Sequence, residues 1–168
     1  TMFSVVNAVL LRPLPYPAPE QLTMLWTANP SQEPREGRTG YRSVEDWRSE
    51  NRSFSDLAVF DPAAVTLATA ERTERITASR VSPSFFSVFG LQPIHGRPFS
   101  AEEADQRKSV ALISHRLWQS RYGGSLDAIG ASITLDGLAT EIIGILPEGQ
   151  FPGANGDVLQ PHTLFPDW

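Results

Sequence analysis

The stretch ASITLDGLATEIIGILP, Ala131 to Pro147, decides the fold. Two apolar-patterned runs flank the dipeptide Asp136-Gly137, which suits a two-residue turn of the primed type because both central residues need positive φ. That loop sets Leu135 opposite Leu138, Ile133 opposite Thr140 and Ala131 opposite Ile142. One face of the hairpin is then apolar, with Ser132, Thr134 and Glu141 on the other. A slip of one residue would turn the apolar set outward, so the register is fixed.

Upstream of the hairpin, VALIS at 110–114 reads as a strand, and HRLWQSRYGG follows as a helix. Ser114 caps that helix, Leu117, Trp118 and Tyr122 share a face, and Gly123 stops it. In SPSFFSVFG, Ser82 is expected to cap, Pro83 to take the first helical position and Gly90 to end the helix, leaving Phe85, Phe86 and Phe89 as a face that must dock. SAEE, Ser100 to Glu103, is a capping box for another short helix. Downstream, DVLQP at 157–161 reads as an edge strand, with Pro161 tolerable at its boundary.

The first half is built of weaker signals. LTMLWTA at 22–28 alternates as a strand would, and 29–40 is a polar loop. Ser43 is expected to cap the helix VEDWRSEN, whose Val44 and Trp47 pack on a sheet. Residues 54–69 read as one or two strands bent at Asp61 and Pro62, and Glu74 to Val81 as another. The fold class is α+β, small mixed sheets with short covering helices.

The 168 residues carry 14 basic and 19 acidic side chains, a net charge of -5, and no cysteine. No basic block forms, so a nucleic-acid partner is not expected. Disulfides and Cys-ligated zinc are excluded. No phosphate loop, nucleophile elbow or zinc helix occurs, so neither ATP hydrolysis nor any other catalysis is expected. His95, His115 and His162 lie on three segments without metal-ligand spacing, and His115 reads as a packing or surface residue. Glu102, Glu103 and Asp105 read as first-turn acids offsetting a helix dipole rather than as an acid/base pair. No cofactor and no metal is expected.

The start, FSVVNAVLLRPLPYP at 3–17, leaves two readings from residues alone. Met2 to Leu11 is half the length a bilayer span needs, so it is a buried segment of a soluble domain or the outer end of a membrane helix closed by Arg12 and the prolines.

Several stretches together resemble one family. FSVVNAVLLRPLPYP, the Pro19-Glu20 pair before LTMLW, SVEDWRSENRSFSDLAVF, RVSPSFFSVFGLQPIHGRPFSAEEAD, VALISHRLWQSRYGG and IGASITLDGLATEIIGILPEG are similar, in order, to the MacB-like periplasmic core domain of ABC transporter permeases, in particular the acidobacterial-type duplicated permeases. The resemblance implies a stub of the first transmembrane helix at 1–12, with Phe3, Val5, Val6, Val9, Leu10 and Leu11 as its membrane-anchoring residues. It implies the first half of a porter-like subdomain at 13–81 and an inserted sabre-like subdomain at 82–168, with the second porter half absent. Leu159 departs from the family's pattern, standing where a Trp is usual.

By resemblance the chain is a non-catalytic domain facing the periplasm from a bacterial inner membrane, coupling helix movement to export or to contact with a partner. The implied partners are an ATP-binding subunit or domain outside this chain, the membrane through further helices, and a periplasmic adaptor. The missing half is expected to leave an open sheet edge, which favours a homodimer or poor order in the first half. The competing class is a free-standing secreted binding module or hydrolase.

Overall fold

The computed structural model describes residues 19–25, 27–28, 36–37, 41–69, 72–149 and 156–164. The chain divides into two compact units, 1–39 and 40–168. In the first, a 3-10 turn at Pro19–Gln21 precedes a two-residue ladder of β1 (Thr27–Ala28) against β2 (Glu36–Gly37). The strand expected over 22–28 is therefore confined to its last two residues, and Met24 and Leu25 are exposed. β2 itself falls within the stretch expected to be a loop.

The second unit holds α1 (Tyr41–Glu50), β3 (Phe60–Ala68), β4 (Thr73–Val81), α2 (Ser84–Val88), β5 (His95–Gly96), α3 (Ala101–Asp105), β6 (Val110–Ile113), α4 (His115–Tyr122), β7 (Ser132–Leu135), β8 (Leu138–Ile145) and β9 (Val158–Pro161). Its strands form one mixed sheet in the order β5-β8-β6-β9-β4-β3-β7, and β7 pairs with β8 again. Six strands thus close into a ring, with β5 alongside the far end of β8. β4–β9 and β6–β8 are parallel, and the other pairings are antiparallel. The ring joins β3 and β4 to β6 through β9, so strands from both sides of residue 82 share one sheet. Closure is partial: among the described residues β3 meets β7 only at Leu67 and Ala68, so the side of β3 away from β4 keeps an open edge from Phe60 to Val65 of the kind expected to invite a second copy.

The hairpin has the expected register, Leu135↔Leu138 and Ile133↔Thr140, with positive φ at both Asp136 and Gly137. Its apolar face is incomplete, because Leu138 at the tip is 48% exposed while Leu135 is buried. β3 runs unbroken through Asp61 and Pro62 rather than bending there. Pro62 lies where β3 pairs with β4 alone, since β7 meets β3 only at Leu67 and Ala68. Alternate residues of a strand address opposite neighbours, and Pro62 has the parity of Ala68, which addresses β7. Its missing N–H is directed to the unpaired side.

DVLQP is not at an edge. β9 lies between β4 and β6, with Val158 and Leu159 fully buried. Pro161 is accommodated because the β6 ladder covers only Val158 and Leu159, leaving no donor needed beyond. Two helix starts also differ from expectation. α1 begins before Ser43, which lies exposed in the first turn, because an aspartate at the fourth box position is a carbon short of the usual glutamate. Ser82 caps nothing: its Oγ accepts from Val59 N at 2.9 Å and bonds Ser84 Oγ at 2.8 Å, tying the entry of β3 to α2.

Alternation across the strands builds two cores. On one face Val65, Leu67, Ile76, Ala78, Ala111, Ile113, Ile142 and Val158 meet Leu117 and Trp118 of α4. The opposite face carries Phe60, whose ring packs edge-on against Phe85 at 6.3 Å and Phe89 at 6.5 Å, while Phe86 stands 5.0 Å from Phe99. Each such aromatic pair adds about 0.5–1.5 kcal/mol beyond its buried area, which is what a five-residue helix like α2 needs to stay docked. Val44 is buried as expected, but Trp47 is 38% exposed and does not join a core.

Two glycines separate conformational need from space. Gly96 has φ +76, and a Cβ there would stand 2.2 Å from Ile143 O; Gly123 has φ +56 with nothing within 4 Å. Gly123→Ala is expected to cost about 1 kcal/mol, the price of the left-handed backbone alone. Gly96→Ala is expected to cost about 3 kcal/mol, because the backbone clash adds to that. Urea midpoints of the two variants check the order.

Candidate functional site

Where the sequence offers chemistry, the structure shows side chains at work holding the fold. His95 and His115, from β5 and α4, both pack on the ring of Trp118, each with centroids 5.4 Å apart. Of the two readings for His115, packing or surface, it is thus a packing residue, and Trp118 also donates its indole N–H to Ser125 O at 2.7 Å. His162 lies elsewhere, buried, with Nδ1 3.3 Å from Val81 O. Burial pushes its imidazole pKa down, against the bond to Val81 O. Among the described residues no three His, Asp or Glu side chains are grouped to hold a metal ion.

The acidic trio separates in the same way. Ser100 and Glu103 form the capping box, Glu103 N donating to Ser100 Oγ at 3.1 Å and Ser100 N to Glu103 Oε2 at 3.0 Å. Glu103 also accepts two 2.7 Å bonds from Arg97, a fork that the sequence did not announce. Glu102 accepts from Gln106, and Asp105 is exposed. A carboxylate so engaged on all sides is a clamp between the β5 exit and α3.

A second clamp was missed entirely from sequence. Asp157, nearly buried just before β9, pairs with Arg116 of α4, and its carboxylate lies 3.4 Å from Thr77 Oγ1 and 3.5 Å from Ser114 Oγ. Its main chain is engaged too, with N donating to Thr77 O and O accepting from Ser114 N, both at 2.8 Å. No spacing motif links residues so far apart in the chain. Arg48 is a third junction, donating from α1 to Leu57 O and to Ser84 Oγ at 2.7 Å.

A half-open groove of about 410 Å³ lies where β3 ends beside β7, lined by Leu67, Ala68, Arg121, Tyr122, Ser132 and Ile133 among others. Arg121 is ion-paired with Glu74, and that hydrogen bond pulls the carboxyl below its ordinary range. Burial pushes the Tyr122 phenol up. The groove brings together none of the histidines and no pair of carboxylates, so no acid/base couple is assembled there.

The membrane-anchoring residues expected at Phe3, Val5, Val6, Val9, Leu10 and Leu11, and the Arg12 and prolines that follow them up to Ala18, lie outside the described residues. Among the described residues no helix is long and apolar enough to cross a membrane.

Comparison with known proteins gives one family. The model of the MacB-like periplasmic core domain matches residues 1–167. No curated protein matches. Among solved structures, the periplasmic region of MacB from Actinobacillus actinomycetemcomitans is similar at 13% identity with a TM-score of 0.65, covering 83% of this chain and 64% of that one. The extracellular domain of the noncanonic ABC-type transporter YknZ from Gram-positive bacteria is similar at 16% identity and TM-score 0.66, covering 83% of this chain and 71% of that one. At these identities the structures share the fold, and the chain spans under two thirds of the first.

The Glu103 clamp sets a pH dependence. The bonds from Arg97 hold the Glu103 carboxyl down to about 2, against an ordinary 4.5, with burial opposing and the Ser100 amide assisting. A carboxyl lowered on folding stabilises fully above its unfolded pKa and loses that contribution as pH falls through the folded value. Arg97 is half exposed, so screening trims the effect to about 1–3 kcal/mol. Wild type is expected to exceed Glu103→Gln by that amount at neutral pH. The gap should narrow from pH 4.5 downward and be mostly gone at pH 2, read from urea midpoints.

Proposed function

Since this chain belongs to the MacB-like periplasmic core domain family, we propose that it couples movement of transmembrane helices in an ABC transporter permease to export, or to contact with a periplasmic partner. The family is the periplasmic or extracellular domain of membrane transporters, and the family match over residues 1–167 carries the reading. In this proposal the chain faces the periplasm from a bacterial inner membrane. ATP is bound by a subunit or domain outside it, and a periplasmic adaptor is the partner. Residues 13–81 and 82–168 take the porter-like and sabre-like parts, with Phe3 to Leu11 as the membrane stub.

The physical demand on such a domain is stiffness rather than bond-making. A displacement passes through a body only if the body deforms less than it moves. A ring of six strands around a buried core supports that role, and so do the Arg97–Glu103 and Arg116–Asp157 clamps.

Testing it takes the native full-length protein with its ATP-binding partner. Spin labels at two exposed positions of the larger unit, Ala64 and Leu138, are expected to keep their separation when ATP is added. A label at Leu138 is expected to change its distance to one on the ATP-binding partner. Recovery of the native protein in a soluble fraction without detergent would sink the transporter reading and favour the secreted module. An ATP-dependent change confined to the Ala64–Leu138 pair would sink the coupling mechanism alone.

A further inference from the structure

A closed sheet opens at its least protected rung, and the pairings of this ring are unequal. β3–β4 has nine residue pairs, while β4–β9, β6–β8 and β7–β8 have four each. β6–β9 and β3–β7 have two each. Those two differ in surroundings. Leu112, Ile113, Val158 and Leu159 of the β6–β9 contact are all fully buried, and Ser114 N extends it by donating to Asp157 O. At β3–β7, Leu67 and Leu135 are buried, but Ala68 and Thr134 are only half-buried and the groove reaches both strands. Solvent-exposed backbone bonds with little apolar cover are the ones that open locally.

What holds this seam is unusual. Asp136, at the hairpin tip, donates its N–H to Thr66 O at 2.9 Å, and Thr66 N donates back to Asp136 Oδ1 at 2.7 Å. A regular antiparallel rung exchanges both bonds between main chains. Here the returning acceptor is the carboxylate, standing in for the main-chain carbonyl of a residue bent to φ 48 by its turn. The seam therefore has its two regular pairs and a third rung made half by a side chain.

We infer that the β3–β7 seam is the point at which the closed sheet opens, and that the Asp136 carboxylate is the strap that holds it shut. Opening there uncovers Leu67 and Leu135 and frees facing edges of β3 and β7, leaving the β4–β9–β6 side intact. The inference stands on geometry alone and is independent of the transport reading.

Asp136 serves both the turn and the strap, and two substitutions separate them. Asp136→Gly keeps the positive φ without steric cost and removes only the carboxylate. Asp136→Asn suits the same turn and restores an Oδ1 acceptor. Amide exchange is followed residue by residue by NMR on the whole chain. In Asp136→Gly, exchange at Ala68 and Thr134, whose own bonds the substitution does not touch, is expected to rise about tenfold while β4–β9 amides keep their rates. Asp136→Asn is expected to return most of that loss. Faster exchange at Thr66 alone, an equal rise throughout the sheet, or no recovery in Asp136→Asn would each overturn the proposal. Should Asp136→Gly not fold, the pair Ala68→Cys and Thr134→Cys, which face each other across the seam, gives the converse test. Oxidation should slow exchange at Thr66 and at the two cysteines, and unchanged rates there would overturn the seam as the opening point.

Discussion

The larger unit depends on a four-residue strand delivered from near the end of the chain into the middle of its sheet. Without β9, β4 and β6 would each present a row of unpaired backbone groups in a packed interior, at about 1–3 kcal/mol for each buried group left without a partner. Asp157 places that strand. Its N–H and carbonyl bridge Thr77 and Ser114, and its carboxylate is met by Arg116. A nearly buried carboxylate is tolerable only when so surrounded, and removing one partner costs more than the pair ever contributed. Gly156 completes the fit, since a Cβ there would stand 2.8 Å from the Ala78 backbone.

Elements that follow from local stereochemistry were legible in the sequence. The Asp136-Gly137 turn demands positive φ at two successive positions, so it fixed a register that the structure repeats. Ser114 and Gly123 bracket α4 as a serine cap and a left-handed stop, and Ser100 with Glu103 makes the capping box of α3. Phe85 and Phe86 of α2, with Phe89 just after it, announced burial by their number alone. What stayed hidden was non-local. DVLQP carries nothing that distinguishes a central strand from an edge, because its parallel partner β4 lies on the other side of the whole β5 to β8 region. Ser82 looked like a cap until Val59 N claimed its hydroxyl. The closure of β7 on β3 and β8 at once left no trace in any single stretch.

The same division governs the candidate site. Sequence reading set aside the histidines and the acidic cluster as chemistry, and the structure gives His95, His115 and Glu103 among them a mechanical task. Glu103 spans a helix cap and an arginine fork, and His95 and His115 brace Trp118. A catalytic base needs a lone pair directed at open space, and Glu103 and Asp157 have theirs occupied. The one groove described is bordered by Arg121, which Glu74 already holds. The family is that of the MacB-like periplasmic core domain.

Ring closure also determines how such a body yields. An open twisted sheet can splay or coil at its edges without breaking a hydrogen bond, so displacement applied at one strand is dissipated before it reaches the far one. A sheet closed into a ring has fewer free edges to take up such a displacement, so its shortest and least covered rungs yield first. Its compliance is therefore concentrated at one place, set by whichever contact is shortest and least covered. β6–β9 is as short as β3–β7 but is buried on both faces and locked at its end by Asp157. That leaves the strapped seam as the outlet for strain, on the side of the ring opposite the strand that the whole unit is built around.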